Sequence, residues 1–446
     1  MRLSSSTSDG LFDAVLARGA VGGEVDDRAW LRAMLDVEAA LARASAAAGL
    51  IPQAAADAIT MACSGAFDVS ELGRAAAASG NPVVPLVKAL EAAVGPAAGS
   101  HVHVGATSQD VMDTAMVLVA RRASLLLLAD LDAASDAAAA LAAAHRGDPV
   151  AGRTLLQQAL PTTFGLKAAG WMAALDGASD RLDVVRRSLP AQLGGPVGTM
   201  SGSGGRGMEV LAAFAGELEL AVPVLPWHTA RLPVADLAGA LGTAAGVVGK
   251  VALDLVLLAQ SEVAEVAEGV AGRGGSSSMP HKRNPVAAVC ARAGAHRAPG
   301  LVAGLLAGMA QEHERGAGAW HAEWLAVSDL LRCTGSAAAW LRDALENLVV
   351  DPRQMRSALA GASLGSEAVA GALAGSLGRG RAHDLVAAAV ARGGSLRAAL
   401  LDDPYVTVHL DAARLDALLA GPQLLGEAHA LVDRALAAHV RRRGPA

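Results

Sequence analysis

Cysteine is scarce in this chain, and aromatic residues are scarcer still for its length. Three cysteines, Cys63, Cys290 and Cys333, are scattered over 446 residues with no CxxC pair. Neither a disulfide framework nor a cysteine-built metal site is expected. Six Trp, four Phe and one Tyr are the whole aromatic complement, and 37 basic against 43 acidic side chains leave a net charge of −6 with His neutral. An acidic chain of this kind lacks the basic face that nucleic-acid binding uses, so no nucleic-acid partner is expected. Long apolar runs are missing too. The greasiest stretch, Ser124–Ala129, is far short of the ~20 residues that cross a bilayer. The positive mean hydropathy comes largely from alanine, and no membrane partner is expected. Met1–Gly10 is polar and has no apolar signal-peptide core. These absences predict a soluble, cytoplasmic protein with ample chain for a large core.

Proline is absent from three long stretches: 52 residues between Pro96 and Pro149, 46 between Pro233 and Pro280, and 52 between Pro299 and Pro352. They are filled with Ala, Leu, Arg, Glu and Gln, which favour helix, while period-two strand patterns do not recur. Forty helical residues would span about 60 Å, a length found in bundles rather than small globules. Trp30, Met34, Val37 and Leu41 share one helix face, with Asp26 and Asp27 placed to cap its start. Gln260, Glu262, Glu265 and Glu268 fall late in the second stretch, where acids oppose the helix dipole; a solvated face is the expectation. Small residues at Gly239, Gly242, Ala245, Gly246 and Gly249 would let helices approach closely. The predicted fold is all-α, divided into an N-terminal helical domain (1–100), a central long-helix domain (101–350) and a C-terminal helical domain (351–446).

Three segments carry residues suited to chemistry. Gly272–Pro285, GRGGSSSMPHKRNP, must be a loop between helical stretches, and long irregular loops are often functional. Its glycines let backbone amides approach an anion and Lys282 adds positive charge. Such neighbours could stabilise a serine alkoxide, although a solvated basic turn has the same composition. His101–Thr114, HVHVGATSQDVMDT, offers the neutral donors Thr107, Ser108 and Gln109 after a glycine. A helix N-terminus capped by Thr107 or Ser108, with Asp110 in the first turn, fits it equally. No ligand cluster accompanies its His-x-His pair, so a metal site is not expected. The third segment is Gly152–Gly165, GRTLLQQALPTTFG.

Residues 275–285, GSSSMPHKRNP, resemble the signature loop of the fumarase/aspartase superfamily. By that resemblance Ser276 is the carbon acid/base, and Lys282 and Asn284 bind and polarise a substrate carboxylate. His101–Thr114 resembles the first conserved region, which makes His103 an active-site histidine and Thr107, Ser108 and Gln109 substrate contacts. In the third segment Thr154, Gln157 and Pro161 match the second conserved region, with Thr154 and Gln157 as substrate contacts, but Leu155 occupies a position where many lyases have histidine. Gly80–Val87, Gly194–Met200 and Gln311–Trp324 resemble the cycloisomerase branch, and Trp227–Arg231 is a possible substrate segment. Arg315 lies in a region that supplies a substrate contact in adenylosuccinate lyase. Trp320 and Trp324, four apart, fit core packing. His145, His228, His296, His383, His409, His429 and His439 show no ligand spacing and are expected at the surface or satisfied in the core. The resemblance covers residues 20–350 and implies a homotetramer with active sites shared between subunits. No metal or organic cofactor is implied.

Leu155 narrows the expected chemistry. Elimination in this superfamily passes through an aci-carboxylate and expels a group from the neighbouring carbon. Amines and hydroxide need a proton to leave; a carboxylate, with a conjugate acid of pKa ~4, does not. The resemblance therefore implies lactone formation from 3-carboxy-cis,cis-muconate, a small polycarboxylate, in which an internal carboxylate plays the leaving group's part in reverse. Nitrite release from nitrosuccinate is the alternative. A non-catalytic homologue of the lens-crystallin kind, or a helical scaffold, would have no use for the intact Ser276, Lys282 and Asn284.

Overall fold

The computed structural model describes residues 10–359, 365–420 and 422–444; nearly all of the polar Met1–Gly10 segment lies outside the described residues. Helices dominate, and the longest fall largely where proline is missing: Ser108–Ala144, Leu232–Leu258 with Pro233 in its first turn, and Ala319–Glu346; Phe164–Ser188 is a fourth long helix. The helix Asp27–Ala47 starts as expected, with the Asp26 carboxylate accepting the Ala29 N–H at 2.8 Å. Met34, Val37 and Leu41 are buried along it.

Proline is a less reliable boundary than its chemistry suggests. The helix Val286–Ala307 runs through Pro299, forgoing one backbone donor. The stretch after Pro299 is then broken by a loop before Ala319. Of the late polar residues of the second stretch, Gln260 and Glu262 are exposed as expected, but Glu265 is not. That helix stops at Leu258, and Glu265 is fully buried and held bidentately by Arg153 at 2.6 and 2.8 Å. An ion pair, not a solvated helix face, accounts for it.

The described residues hold two short antiparallel pairs. Pro149–Thr154 pairs with Gln157–Thr163 as a hairpin, and Val266–Glu268 pairs with Leu348–Val350. Leu232–Leu258 is long and apolar enough to cross a membrane by length and composition, which corrects the expectation that no stretch reaches that length. Its hydropathy is spread among Ala, Val, Leu and Gly rather than concentrated in one run. Asp254 on it accepts the Trp171 indole N–H at 2.7 Å.

The chain folds into two compact units. One gathers the residues up to Asp132, Gly177–Ala252 and Ala287–Arg342; the other gathers Ala133–Asp176, Leu253–Val286 and the residues from Asp343 onward. In the first unit, positions 111–120 of the helix Ser108–Ala144 are buried all round, as in a core helix. A Cβ on Gly242 would press on Val302 at 2.9 Å, and one on Gly249 would meet Ala295 at 3.1 Å, so small residues do set a close helix approach. In the second unit Val369, Leu373, Val386, Leu400, Val406 and Leu415 form a separate small core among the C-terminal helices.

Candidate active site

In the first unit the site grows from the start of the helix Ser108–Ala144. Asp110 accepts the Thr107 backbone N–H at 2.9 Å, one half of a capping box. The same carboxylate accepts the N–H groups of Gly194 and Gly195, both at 2.9 Å, and faces His228 Nε2 at 2.7 Å. Four donors satisfy a buried charge and tie the Gly194–Met200 and Trp227–Arg231 segments to the helix start.

One turn on, Asp113 accepts Arg231 through Nη1 at 2.7 Å and Nη2 at 3.0 Å, together with the Trp320 indole N–H at 2.9 Å. Glu323 takes the other side of the guanidinium, through Nη2 at 2.6 Å and Nε at 3.1 and 3.2 Å. The Arg231 side chain is completely buried, with Asp113 and Glu323 at 2%. Burial opposes its charge, but the two carboxylates outweigh that and hold its pKa above the ordinary range. Burial pushes Glu323 up despite Arg231.

A chain of hydrogen bonds leads outward from this cluster. Gln109, fully buried, donates from Nε2 to Asp113 at 3.0 Å and to the His228 carbonyl at 2.7 Å. Its Oε1 accepts Arg315 Nη1 at 2.8 Å, and Arg315 Nη2 donates to the Pro196 carbonyl at 2.7 Å. Both partners of Arg315 are neutral, and no carboxylate among the described residues takes its charge. Gln311, at the start of the same segment, donates to Glu323 at 2.9 Å.

His103 is positioned separately. Its Nδ1 lies 2.6 Å from Oε1 of Glu38, which is buried on the helix Asp27–Ala47. Burial works against the imidazolium, but the Glu38 charge and hydrogen bond, with Asp110 and Glu91 beyond, raise the His103 pKa above its usual value.

The second unit carries the other two segments. Gly272–Pro285 is irregular, as expected. Arg273 anchors its start on Asp343 at 2.7 Å. Gly274 (φ +79°) and Asn284 then close the excursion: the Asn284 backbone N–H and side-chain Nδ2 both donate to the Gly274 carbonyl, at 2.8 and 3.0 Å. A Cβ at Gly274 would collide with the Asn284 carbonyl oxygen. Ser276 Oγ accepts the Met279 N–H at 3.2 Å, and Lys282 is exposed. Thr154 and Gln157 are register partners at the hairpin's turn end, flanking Leu155 and Leu156 at its tip.

That tip is strained. Leu155 and Leu156 adopt φ of +50° and +65°, the two-residue turn geometry that Asn-Gly normally supplies, and Leu155 is 97% exposed. Among the described residues seven non-glycine positions have positive φ, and five of them (His103, Leu155, Leu156, Met200 and His313) lie in the segments singled out by sequence. Strained backbone tends to collect at functional sites.

Residues 6–300 match a family described as lyase. The chain belongs to the fumarase/aspartase superfamily. Over 97% of its length it is 44% identical to a nitrosuccinate lyase of Streptomyces davaonensis, covering 96% of that protein. Over 96% it is 46% identical to a 3-carboxy-cis,cis-muconate cycloisomerase of Bradyrhizobium diazoefficiens, covering 97% of it. The crystal structure of a 3-carboxy-cis,cis-muconate lactonizing enzyme from Pseudomonas putida superimposes with a TM-score of 0.89 at 42% identity, covering 97% of this chain and all of that one.

Within this superfamily member, Gln109 and Arg315 are in direct contact. Thr107 and Ser108 sit at the same helix start, and His103 lies on the chain just before it. Ser276, Lys282 and Asn284 share one loop; Thr154 and Gln157 share one hairpin. Sequence reasoning missed Glu38 and Glu323, and it held Arg231 and His228 only as part of the Trp227–Arg231 segment and Asp113 only as a neighbour of Asp110, without pairing them. Asp113 was visible three residues from Asp110, and Arg231 closes the WHTAR segment, but nothing local pairs them. Trp320 is buried and Trp324 half-buried against it, rings 4.9 Å apart and edge to face. Among the described residues no group of three or more His, Cys, Asp or Glu is arranged to hold a metal ion.

Proposed function

We propose that this protein is a 3-carboxy-cis,cis-muconate cycloisomerase, forming 4-carboxymuconolactone by adding one carboxylate oxygen of the substrate across the diene. The displaced π electrons pass into a second carboxylate, which becomes an aci-carboxylate, and the Ser276 hydroxyl gives the carbon next to it the proton that completes the lactone. Lys282, the loop amides and Asn284 stabilise the charge that accumulates on the aci-carboxylate oxygens. Thr107, Ser108, Thr154, Gln157 and Arg315 contact the remaining carboxylates. His103, held by Glu38, is an active-site acid/base.

Leu155 is the observation that carries this chemistry. An exposed hydrocarbon at the hairpin tip supplies no proton there, which favours a group that adds or departs as a stable anion. Full-length likeness to cycloisomerases supports lactone formation over other such reactions. Nitrite release from nitrosuccinate meets the same requirement, and the Streptomyces relative at 44% identity favours it specifically.

A cytoplasmic homotetramer with sites shared among subunits is part of the proposal, as is the three-part division of the chain near residues 100 and 350. Three buried cysteines that form no disulfide fit a reducing compartment. Gly239 and Gly246 face open space within 4 Å of their virtual Cβ positions, which leaves room for helices of other subunits.

The deciding assay follows loss of diene absorbance from 3-carboxy-cis,cis-muconate, beside nitrite release from nitrosuccinate. Diene loss that falls at least ~10²-fold in Ser276→Ala is the expected result. Inert diene with rapid nitrite release would transfer the assignment to the lyase, and near-normal turnover in Ser276→Ala would remove the serine from its role.

A further inference from the structure

Two arginines near the start of the helix Ser108–Ala144 are held in opposite ways. Arg231 is enclosed by two carboxylates, so its charge is spent inside the protein. Arg315 is partly exposed and is held at both outer nitrogens by neutral oxygens, those of Gln109 and the Pro196 carbonyl. Neutral acceptors fix a cation's direction without cancelling its charge. A long flexible side chain ordered before an anion arrives loses less freedom on binding it.

Only an amide can fill position 109 in this arrangement. Its nitrogen side faces Asp113 and the His228 carbonyl, both acceptors, and its oxygen side faces the Arg315 guanidinium, a donor. A carboxylate there would repel Asp113 and neutralise Arg315. An apolar residue would release the arginine. Because Gln109 is fully buried and its amide is engaged at both ends, it has no face left for a ligand.

We propose that Gln109 is a positioning residue: in place of the direct carboxylate contact that the resemblance implies for it, it orients Arg315 toward a substrate carboxylate, anchored on the Asp113–Arg231–Glu323 cluster. The inference rests on Arg315 being an anion contact in the proposed reaction. It adds that the selectivity for polycarboxylates is set from beneath, by a residue that touches no substrate.

A double-mutant cycle tests it on the full-length protein, using Gln109→Met, Arg315→Met and the double variant. The probe is the unreactive propane-1,2,3-tricarboxylate, whose binding is measured by calorimetry, with KM and kcat recorded on whichever substrate turns over. Gln109→Met leaves Asp113 its three donors from Arg231 and Trp320. It is expected to weaken tricarboxylate binding about tenfold, the loss of one positioned charge-assisted contact. KM should rise while kcat stays within about threefold. The double variant should bind no worse than Arg315→Met alone, because Gln109 acts through that arginine. Should Gln109→Met fail to fold, Gln109→Asn takes its place, its shorter arm giving up one side of the bridge. Multiplying effects in the double variant would overturn the positioning role while leaving the reaction untouched. No tricarboxylate binding to the wild type would overturn both. Failure of both substrates with a non-additive cycle would refute the reaction alone.

Discussion

Arg231→Met is the perturbation with the clearest physical consequence. The guanidinium makes five hydrogen bonds of 2.6–3.2 Å to Asp113 and Glu323. Met nearly preserves volume but leaves two buried carboxylates facing each other without a cation. Breaking a buried ion pair by removing one partner costs ~3–5 kcal/mol. At roughly 2–4 °C per kcal/mol for a unit of this size, the melting temperature should fall about 6–20 °C. The two carboxylates are not equally exposed to the loss. Asp113 retains Gln109 and Trp320, whereas among the described residues Glu323 retains Gln311 alone.

Glu323 should therefore take up a proton. Burial already raises its pKa in the wild type, and losing Arg231 must raise it further. The folded protein then keeps a proton that the unfolded chain releases near pH ~4.3. Stability consequently falls as pH rises from there through the raised folded value, by up to about 1.4 kcal/mol per unit. Thermal melts between pH 4 and 8 read this directly, and Arg231→Met with Glu323→Gln should recover at least half of the lost stability. A melting temperature within 2 °C of wild type, or a variant with no downward slope, would refute the idea that Arg231 holds two buried charges.

Glu38→Gln should lower the His103 titration, read by NMR of the imidazole, because the leading opponent of burial is removed. The raised wild-type value contributes stability that is fully present below the unfolded pKa of ~6.5 and lost as pH rises through the folded one. The variant should lose that dependence, and an unmoved titration would exclude Glu38 as its cause. Mixing inactive Ser276→Ala chains with inactive His103→Ala chains should restore activity if sites are shared across subunits; well-mixed tetramers without rescue would refute sharing.

Much of the architecture was legible because it depends on local chemistry. Proline-free, alanine-rich stretches carry the long helices, Asp26 caps where it should, and the glycine-serine-lysine run at 272–285 is a loop. The hairpin was not legible, because Leu155-Leu156 at its tip is the reverse of turn chemistry and survives only as strained backbone. The acids after Gln260 misled for a related reason. Whether Glu265 is solvated or buried depends on Arg153, 112 residues away. The same distance effect hid the ion cluster: Asp113 and Arg231 are 118 residues apart, and Arg231 and Glu323 are 92 apart. A helix buried on all sides offers no periodicity to separate Asp113 from its apolar neighbours.

The two arginines show how an acidic chain can prepare for an anionic substrate. Arg231 with Asp113 and Glu323 carries a net −1, a poor environment for an anion if it were open to one. Complete burial keeps a ligand from touching the cluster and lets it serve as a frame. Gln109 then carries the frame's rigidity outward without its charge, since an amide transmits direction and leaves the Arg315 cation intact. A salt bridge in the same place would have fixed Arg315 equally well and disarmed it. The position that separates a structural arginine from a receptive one is thus held by a neutral side chain, which neither net charge nor an inventory of ionisable residues would single out.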